Sequence, residues 1–535
     1  MDSTRRHILD LSRRGLLRGA TAAAALAAIM PAASRRSVAN PVFHAYPFSL
    51  GVASGDPLPD GVVLWTRLAP DPLGGGGMPR MAVELRWEVA EDERFARVVR
   101  QGTALARPEL GHSVHVEVEG LAPARVYHYR FRAGRETSPV GRTRTAPAAD
   151  VMPDRLRYVA AGCQNWESGL FTAWDGVARE ADLDFVFHYG DYIYEYRTRG
   201  NLPGVGEAVR QHNSEELYTL TDYRNRYALY KSDPALQRAH QAHPFLHSYD
   251  DHEVDNNWAG IHSEENEPER FAHGVPPEIF ALRKQIAFQV WYESLPLRRA
   301  QLPSGASITA YRGLRWGRLG DIAVLDTRGF RDDQPCGDGT RPPCAAVANP
   351  DAQILGAAQE RWLFDRLARS PAVWKLLGQQ VPLMRRDFGT TEPVLAMDKW
   401  DAYPAARTRL FRHVLDAGVK NLAVMTGDVH QSWVGTLRLD FADESSPVVG
   451  HEFIATSISS NGDGSEIVPQ TERMLRRNPH IAWFNNRRGY ALHEATPVRL
   501  EVTCRGVDYV SRPGAPVVDK ARFAVEAGGT TLHKL

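Results

Sequence analysis

The chain has 535 residues, 43% of them hydrophobic and 24% charged, and Lys+Arg equal Asp+Glu at 64 each, a formal net charge of zero. These values are ordinary for globular domains; they exclude collagen, coiled-coil, long-disorder and multispanning membrane classes, and the charge balance argues against nucleic-acid binding by bulk charge. Four cysteines exclude a disulfide-dense scaffold, and a chain this long buries a sizeable core without one.

At roughly 150 residues per domain the length suggests two to four domains, or one large domain with a satellite. The N-terminus reads first as an address. Arg13 and Arg14 precede a weakly hydrophobic, Ala-rich run from Ala20 to Met30, too short for a membrane span of about 20 apolar residues. A basic start, a short apolar stretch and small residues after it read as an export signal, and the paired arginines resemble a twin-arginine (Tat) signal. Cleavage is expected after Ala39, with Ala33 as second choice, so residues 1–39 are assigned to the signal. The expected location is periplasmic or extracellular. The Tat export machinery is then a partner of the precursor, no transmembrane anchor remains, and the mature protein is expected to be a monomer.

Residues 44–150 read as an all-β domain, with strands predicted over 61–68, 82–90, 113–119 and 126–132 from alternation and β-branched content. The run Leu121 to Tyr129 resembles the tyrosine-corner approach of a fibronectin-type sandwich. No titratable cluster assigns chemistry to this part. From 151 to 535 strands and helices alternate: strand 157–161, helix 170–180, strand 183–188, mostly helical insertions 201–243 and 264–300, strand 321–325, helix 355–368, strand 373–379, helix 405–416 and strand 421–425. That is a layered α/β domain, with polar residues just past strand ends placing a site along one edge of the sheet. Cys336 and Cys344 flank a turn-rich loop and are expected to be bonded after export. Cys504 lies in an alternating strand-like run and reads as core.

Four segments share one design, an apolar strand followed at once by groups able to bind metal: Gly162-Cys163-Gln164-Asn165, Gly190-Asp191-Tyr192-Ile193-Tyr194-Glu195, Tyr249-Asp250-Asp251-His252-Glu253 and Gly427-Asp428-Val429-His430. One Gly-Asp pair would be an ordinary turn or helix cap. Four brought to one sheet edge would repel one another unless cations neutralise them. Carboxylate, imidazole, phenol and thiol together suit a transition metal beside a hard divalent ion.

On these motifs the chain resembles the PhoD-type alkaline phosphatases, a family of calcineurin-like metallophosphatases with a phospholipase D branch. The likeness extends to Gly51-Val52-Ala53-Ser54-Gly55-Asp56-Pro57, Val63 to Arg67, and 484–490. It implies a layered metallophosphatase core after the β-sandwich, a site with ferric iron (Fe3+) and one or two calcium ions (Ca2+), and a phosphate ester as substrate. Carried over, Asp191 is the expected bridging carboxylate, Cys163 and Tyr194 the iron ligands, and Asp251 a calcium ligand. Asp428 and His430 form the last ligand pair, with His430 on iron, and Asn257 is a weaker ligand candidate. His252 is expected to bind the phosphoryl group or protonate the leaving oxygen, or else to be an orienting residue held by Asp250. Arg328, with Arg331 nearby, is a phosphate-binding candidate; a structural Asp326–Arg328 pair is the alternative. Gln379-Gln380 stand where the superfamily would offer a histidine ligand. The run 483–490 resembles a segment that covers the family's active site.

The expected mechanism is in-line attack on phosphorus by a hydroxide made from acidified water, with no Gly-x-Ser-x-Gly elbow to supply a serine. The alternative within the family is a phospholipase D-type phosphodiesterase. A cysteine hydrolase built on Cys163 would leave Asp191, Asp251 and Asp428 without a task, and a non-catalytic binding protein would leave all four clusters unexplained.

Overall fold

Alternating and β-branched apolar runs between residues 52 and 144 become two facing sheets in the computed structural model, which describes residues 37–38, 40–263 and 275–535. The predicted export signal, apart from Ser37 and Val38, lies outside the described residues, as does 264–274 of the predicted second insertion. Strands β1 (Val52–Leu58), β2 (Gly61–Arg67) and β5 (Ser113–Val118) form one antiparallel sheet. Strands β3 (Ala82–Ala90), β4 (Val98–Ala106), β6 (Val126–Ala133) and β7 (Gly141–Arg144) form the other. Val62, Leu64, Val83, Leu85, Val89, Tyr129 and Phe131 fill the space between them. The Tyr127 hydroxyl accepts the N–H of Ala122 at 2.9 Å, five residues upstream, which is the expected corner.

The larger α/β part begins at β8 (Leu156–Ala161), α1 (Thr172–Arg179) and β9 (Phe185–His188). The first insertion holds α2 (Leu220–Lys231) and α3 (Pro234–Ala242). Thr219 and Asp222 exchange side chain–backbone bonds at the start of α2, and Asp233 with Pro234 starts α3. Then come β10 (Pro244–His247), α4 (Pro277–Ser294), β11 (Arg312–Trp316), β12 (Gly320–Val324), α5 (Gly356–Arg369), β13 (Trp374–Gly378), α6 (Pro404–Asp416) and β14 (Leu422–Thr426). Strands β15 (Ser432–Arg438), β16 (Val448–Ile454), β17 (Ile481–Ala495), β18 (Arg499–Val507) and β19 (Val518–Glu526) complete it.

Two mixed sheets face each other. One runs β19–β18–β17–β8–β9–β10, the last three parallel. The other runs β11–β12–β13–β14–β16–β15–β17, with β12, β13, β14 and β16 parallel. Tyr158, Phe187, Ile322, Leu376, Met425 and Phe453 are part of the core between them. Helices α1 to α4 pack on the outer face of the first sheet, and α5 and α6 on that of the second. Long β17 belongs to both sheets, through Ile481 to Asn485 on one side and Arg488 to Ala495 on the other. The run expected to cover the site is therefore a core strand, with Phe484, Arg488 and Tyr490 buried.

The β-sandwich does not hang from a linker. Strand β1 pairs parallel with β10, Ser54 opposite Pro244 and Gly55 opposite Phe245. A Cβ on Gly55 would lie 2.5 Å from the Pro296 carbonyl oxygen, so only glycine permits this approach. Asp56 takes a forked contact from Arg312 on β11, with distances of 2.7 to 3.1 Å. The motif around Gly55-Asp56-Pro57 is thus a weld between the two parts.

Cys336 and Cys344 are disulfide-bonded, and Cys163 and Cys504 are buried thiols. Several histidines are buried without an acidic partner. His188 is pushed down to about 3 by burial and by Lys231, and His493 to about 3 by burial. Such imidazoles bind a proton in the unfolded chain below about pH 6.5 but not in the fold until far lower pH. Their contribution is therefore intact above pH 6.5 and is lost as pH falls, by about 1.4 kcal/mol per unit for each. The thermal midpoint should drop steeply between pH 6.5 and 5; a midpoint that stays level over that range overturns the expectation.

Candidate metal centre

Three of the motif segments leave adjacent parallel strands β8, β9 and β10 of the first sheet, and the fourth leaves β14 of the second. The strand ends bring them to one end of the double sheet. Cys163, Asp191, Asp428 and His430 all adopt left-handed backbone, with φ of 52°, 53°, 69° and 57°. Non-glycine residues rarely do so, and clusters of such strain mark functional sites. Two glycines allow the loops to close. A Cβ on Gly190, at φ 127°, would lie 2.3 Å from the Asp250 nitrogen, and one on Gly427 would lie 2.1 Å from the Tyr189 ring.

The loops are tied to one another. The Cys163 N–H donates to the Gly190 carbonyl at 3.0 Å and that of Gln164 to the Asp191 carbonyl at 3.1 Å. Glu253, fully buried, accepts the N–H groups of Asp191, Tyr192 and Asp250 at 3.1, 2.6 and 2.9 Å. Burial, then Asp191, pushes its carboxyl up to about 8. Ser460 donates to the Cys163 carbonyl at 2.7 Å and lies 2.7 Å from the Tyr194 hydroxyl. Arg488, on β17, holds the carbonyls of His430 and Ser460 at 2.7 and 2.6 Å.

Three sets of ligating atoms lie within 4.8 Å of one another: Cys163, Asp191 and His430; Asp191, Asp251 and His252; Asp250, Asp251 and Asp428. Asp191 belongs to two sets, which is the position of a bridge. Its Oδ2 accepts the Tyr194 hydroxyl at 2.7 Å, and its Oδ1 is buried with no hydrogen-bond partner. The Tyr194 oxygen also lies 3.0 Å from His430 Nε2, so the phenol joins the first set. Burial and then Asp191 push both the Cys163 thiol and the Tyr194 phenol well up. Thiol, phenol, imidazole and an unpartnered buried carboxylate oxygen are the donors a transition metal takes, and the Asp191–Asp251 side is oxygen-rich, as a hard divalent ion prefers. The residues fit a cation pair centred on Asp191.

The sequence-predicted residues otherwise divide. His252 Nδ1 is bound by Glu195 Oε2 at 2.8 Å, not by Asp250, and Glu195 also accepts the Asn256 N–H at 2.9 Å. Burial opposes the imidazolium, but Glu195 and Asp251 outweigh it and hold His252 well above its ordinary range. Asn257 donates its N–H to Asp251 Oδ2 at 2.8 Å, and its side-chain amide donates to Asp338 Oδ2 at 2.7 Å.

Arg328 is fully buried, its guanidinium spent on Asp250 at 2.6 Å, on both oxygens of Asp398 at 2.8 and 2.9 Å, and on Asp428 at 3.0 Å. It orders carboxylates and presents nothing to a phosphate. Nor does it pair with the Asp326 carboxylate through its side chain; Asp326 Oδ1 accepts the backbone N–H groups of Arg328 and Gly329 at 3.0 and 2.8 Å. Arg331 is likewise bound to Asp398. Gln379 accepts the Trp400 indole N–H at 2.9 Å, and Gln380 accepts Thr327 N–H at 2.9 Å, so neither replaces a ligand.

Nothing in the sequence around Asp398 and Lys399 marks them. Lys399 Nζ lies 2.7 Å from Asp398 and 2.5 Å from Asp428, beside the third acidic set. A lone Asp-Lys pair in a loop carries no signal of its own. Ser460 is equally silent, whereas Arg488 lies within the quoted run 483–490. Glu195 closes a quoted motif, and its spacing from Asp191 could have marked it.

Residues 158–504 match the family model described as PhoD-like phosphatase, and residues 32–147 match the one described as PhoD-like phosphatase, N-terminal domain. The chain is 47% identical over 498 residues, 93% of its own length and 84% of the other's, to alkaline phosphatase D of Bacillus subtilis (strain 168). A solved structure described as "Structure of PhoD" superposes with a TM-score of 0.89 at 46% identity, covering 92% of this chain and 93% of that one.

Proposed function

The chain belongs to the PhoD-like phosphatase family and is a hydrolase of phosphate esters; on that premise we propose that its reaction runs at the cation pair centred on Asp191. The observation that carries the reading is the shared, half-unpartnered Asp191 carboxylate between a thiol–phenol–imidazole set and an oxygen-rich set. Cys163, Tyr194, His430 and one oxygen of Asp191 would hold ferric iron. The other oxygen of Asp191 with Asp251 would hold calcium, with Asp428 and the Asn257 amide oxygen as its further ligands. Cations there supply acidified water and neutralise phosphate charge.

The chain's own residues do the rest. Glu195 accepts the Nδ1–H of His252 and, with Asp251, favours the protonated ring, which leaves the Nε2–H for the substrate side. His252 then gives a proton to the departing alkoxide oxygen. Arg328 and Lys399 offset the charge of Asp250, Asp398 and Asp428 and hold that wall of the site in place. No helix among the described residues is long and apolar enough to cross a membrane, and the Cys336–Cys344 bond suits an oxidising compartment. Export by the Tat route to the periplasm or beyond accords with both. Changing Arg13 and Arg14 to lysine should trap the precursor in the cytoplasm, and unchanged export would count against that route.

The test of the site is Cys163→Ala. Thiolate and phenolate bound to ferric iron give a visible absorption band. The variant should lose or shift that band, lose most of its iron by elemental analysis, and lose activity in parallel. A colourless wild-type enzyme, fully active on zinc or magnesium alone, would refute the ligand assignment. Assays of an aryl phosphomonoester, a diester and phosphatidylcholine on one preparation rank the substrates, and dominance of the last would favour the phospholipase D-type reading.

A further inference from the structure

We propose that Asp338, on the loop closed by the Cys336–Cys344 disulfide, is a positioning residue of the cation site that acts through Asn257 on Asp251. The inference rests on the reading that Asp251 holds a divalent cation.

Asn257 is held in the left-handed region, φ 53°, and its N–H donates to Asp251 Oδ2 at 2.8 Å. Asparagine tolerates that conformation, and the segment 331–338 grips the residue from outside. Asp338 Oδ2 accepts the Asn257 side-chain amide at 2.7 Å. Gln334 and Arg331 donate to the Asn257 carbonyl at 2.6 and 3.0 Å. The remaining oxygen of Asp338 is buried and has no partner among the described residues. A carboxylate kept that way on a surface loop has a cost that a purely decorative contact would not repay.

The same loop is fastened to the opposite wall of the site. The Gly339 carbonyl accepts the Met397 N–H at 2.9 Å, and Thr340 and Arg341 pair antiparallel with Ala396 and Leu395. The next residues are Asp398 and Lys399, and Lys399 reaches Asp428. A short disulfide-closed loop therefore spans two walls, the Asp251 wall through Asn257 and the Asp428 wall through Lys399. The disulfide restricts the loop between those two fastenings. Residues that orient a metal ligand without touching the metal commonly change affinity when they are altered.

The experiment measures calcium binding by equilibrium dialysis with radioactive calcium on the full exported enzyme, alongside iron content and the visible spectrum. Asp338→Ala is expected to weaken calcium binding about tenfold while iron and colour stay at wild-type levels. Asp338→Asn, whose amide oxygen still accepts from Asn257, is expected to keep most of the affinity. The Cys336→Ser, Cys344→Ser double variant, which frees the loop without touching Asp338, is expected to shift affinity in the same direction and keeps the test open if Asp338→Ala folds poorly. Asp251→Asn is the control. If it loses calcium but Asp338→Ala binds as wild type, the proposal falls. Should Asp251→Asn itself bind as wild type, the reading beneath it falls instead. Equal loss of calcium and iron in the Asp338 variants would show a general structural defect and would also overturn the positioning role.

Discussion

Asp191→Asn should cut kcat on a phosphomonoester by about a thousandfold, which corresponds to about 4 kcal/mol at the barrier. The substitution keeps the side chain's shape, and asparagine tolerates the left-handed backbone at this position, φ 53°. What it removes is specific. One oxygen becomes an amide nitrogen that cannot bind a cation, and the negative charge shared by two ligand sets disappears. A bridging position serves both cations, so elemental analysis should find both depleted. Circular dichroism should stay near that of the wild type, and the thermal midpoint should match that of wild type stripped of its cations. A variant that keeps a tenth of wild-type turnover, with its metals in place, would show that Asp191 does not bridge.

His252→Ala should lower kcat by about 10²- to 10⁴-fold, the usual worth of a positioned general acid, while iron content and colour persist. The imidazole stands against the Tyr194 ring, 4.1 Å between centroids, with the Tyr196 edge 5.2 Å away. Glu195 behind it is fully buried. Glu195→Gln keeps the hydrogen-bond distance but weakens the hold on the protonated ring, and should give a smaller loss on the same substrate. An unchanged kcat in His252→Ala would transfer the leaving-group role to another residue. A loss confined to substrates with poor leaving groups would support the assignment, because only those need the proton.

Much of this architecture was legible because the chain writes it locally. An apolar strand that ends in Gly-Asp or Gly-Cys shows strand, turn and candidate ligand within one short stretch. The run Phe185 to Glu195 therefore disclosed β9, the Asp191 turn and Tyr194 together. Strands β3, β5 and β6 were equally plain, since their inward positions alternate, and β2 because its run is apolar, β-branched and buried throughout. β4 was not, because most of its residues are exposed and carry no apolar rhythm. β1 was obscured by Gly55-Asp56-Pro57, which reads as a turn and serves as a weld.

Long-range partners explain the remaining gaps. Ser460 meets Tyr194 across 266 residues and Lys399 meets Asp428 from a loop with no periodic pattern. Arg328 shows the limit in another way. Its residue type suits a phosphate, and only the surrounding carboxylates reveal that its charge is already committed.

The pairing of β1 with β10 also decides what happens when the molecule is cut. Without the N-terminal sandwich, the outer side of Pro244–His247 would present unpaired N–H and C=O groups, flanked by the buried side chains Phe245 and Leu246. Such a bare strand recruits other chains by intermolecular pairing. Removal of the apparently silent domain would then be felt first as insolubility. A chain beginning at residue 151 would collect in aggregates before its catalytic competence could be measured, and the two family segments would behave as one indivisible folding unit.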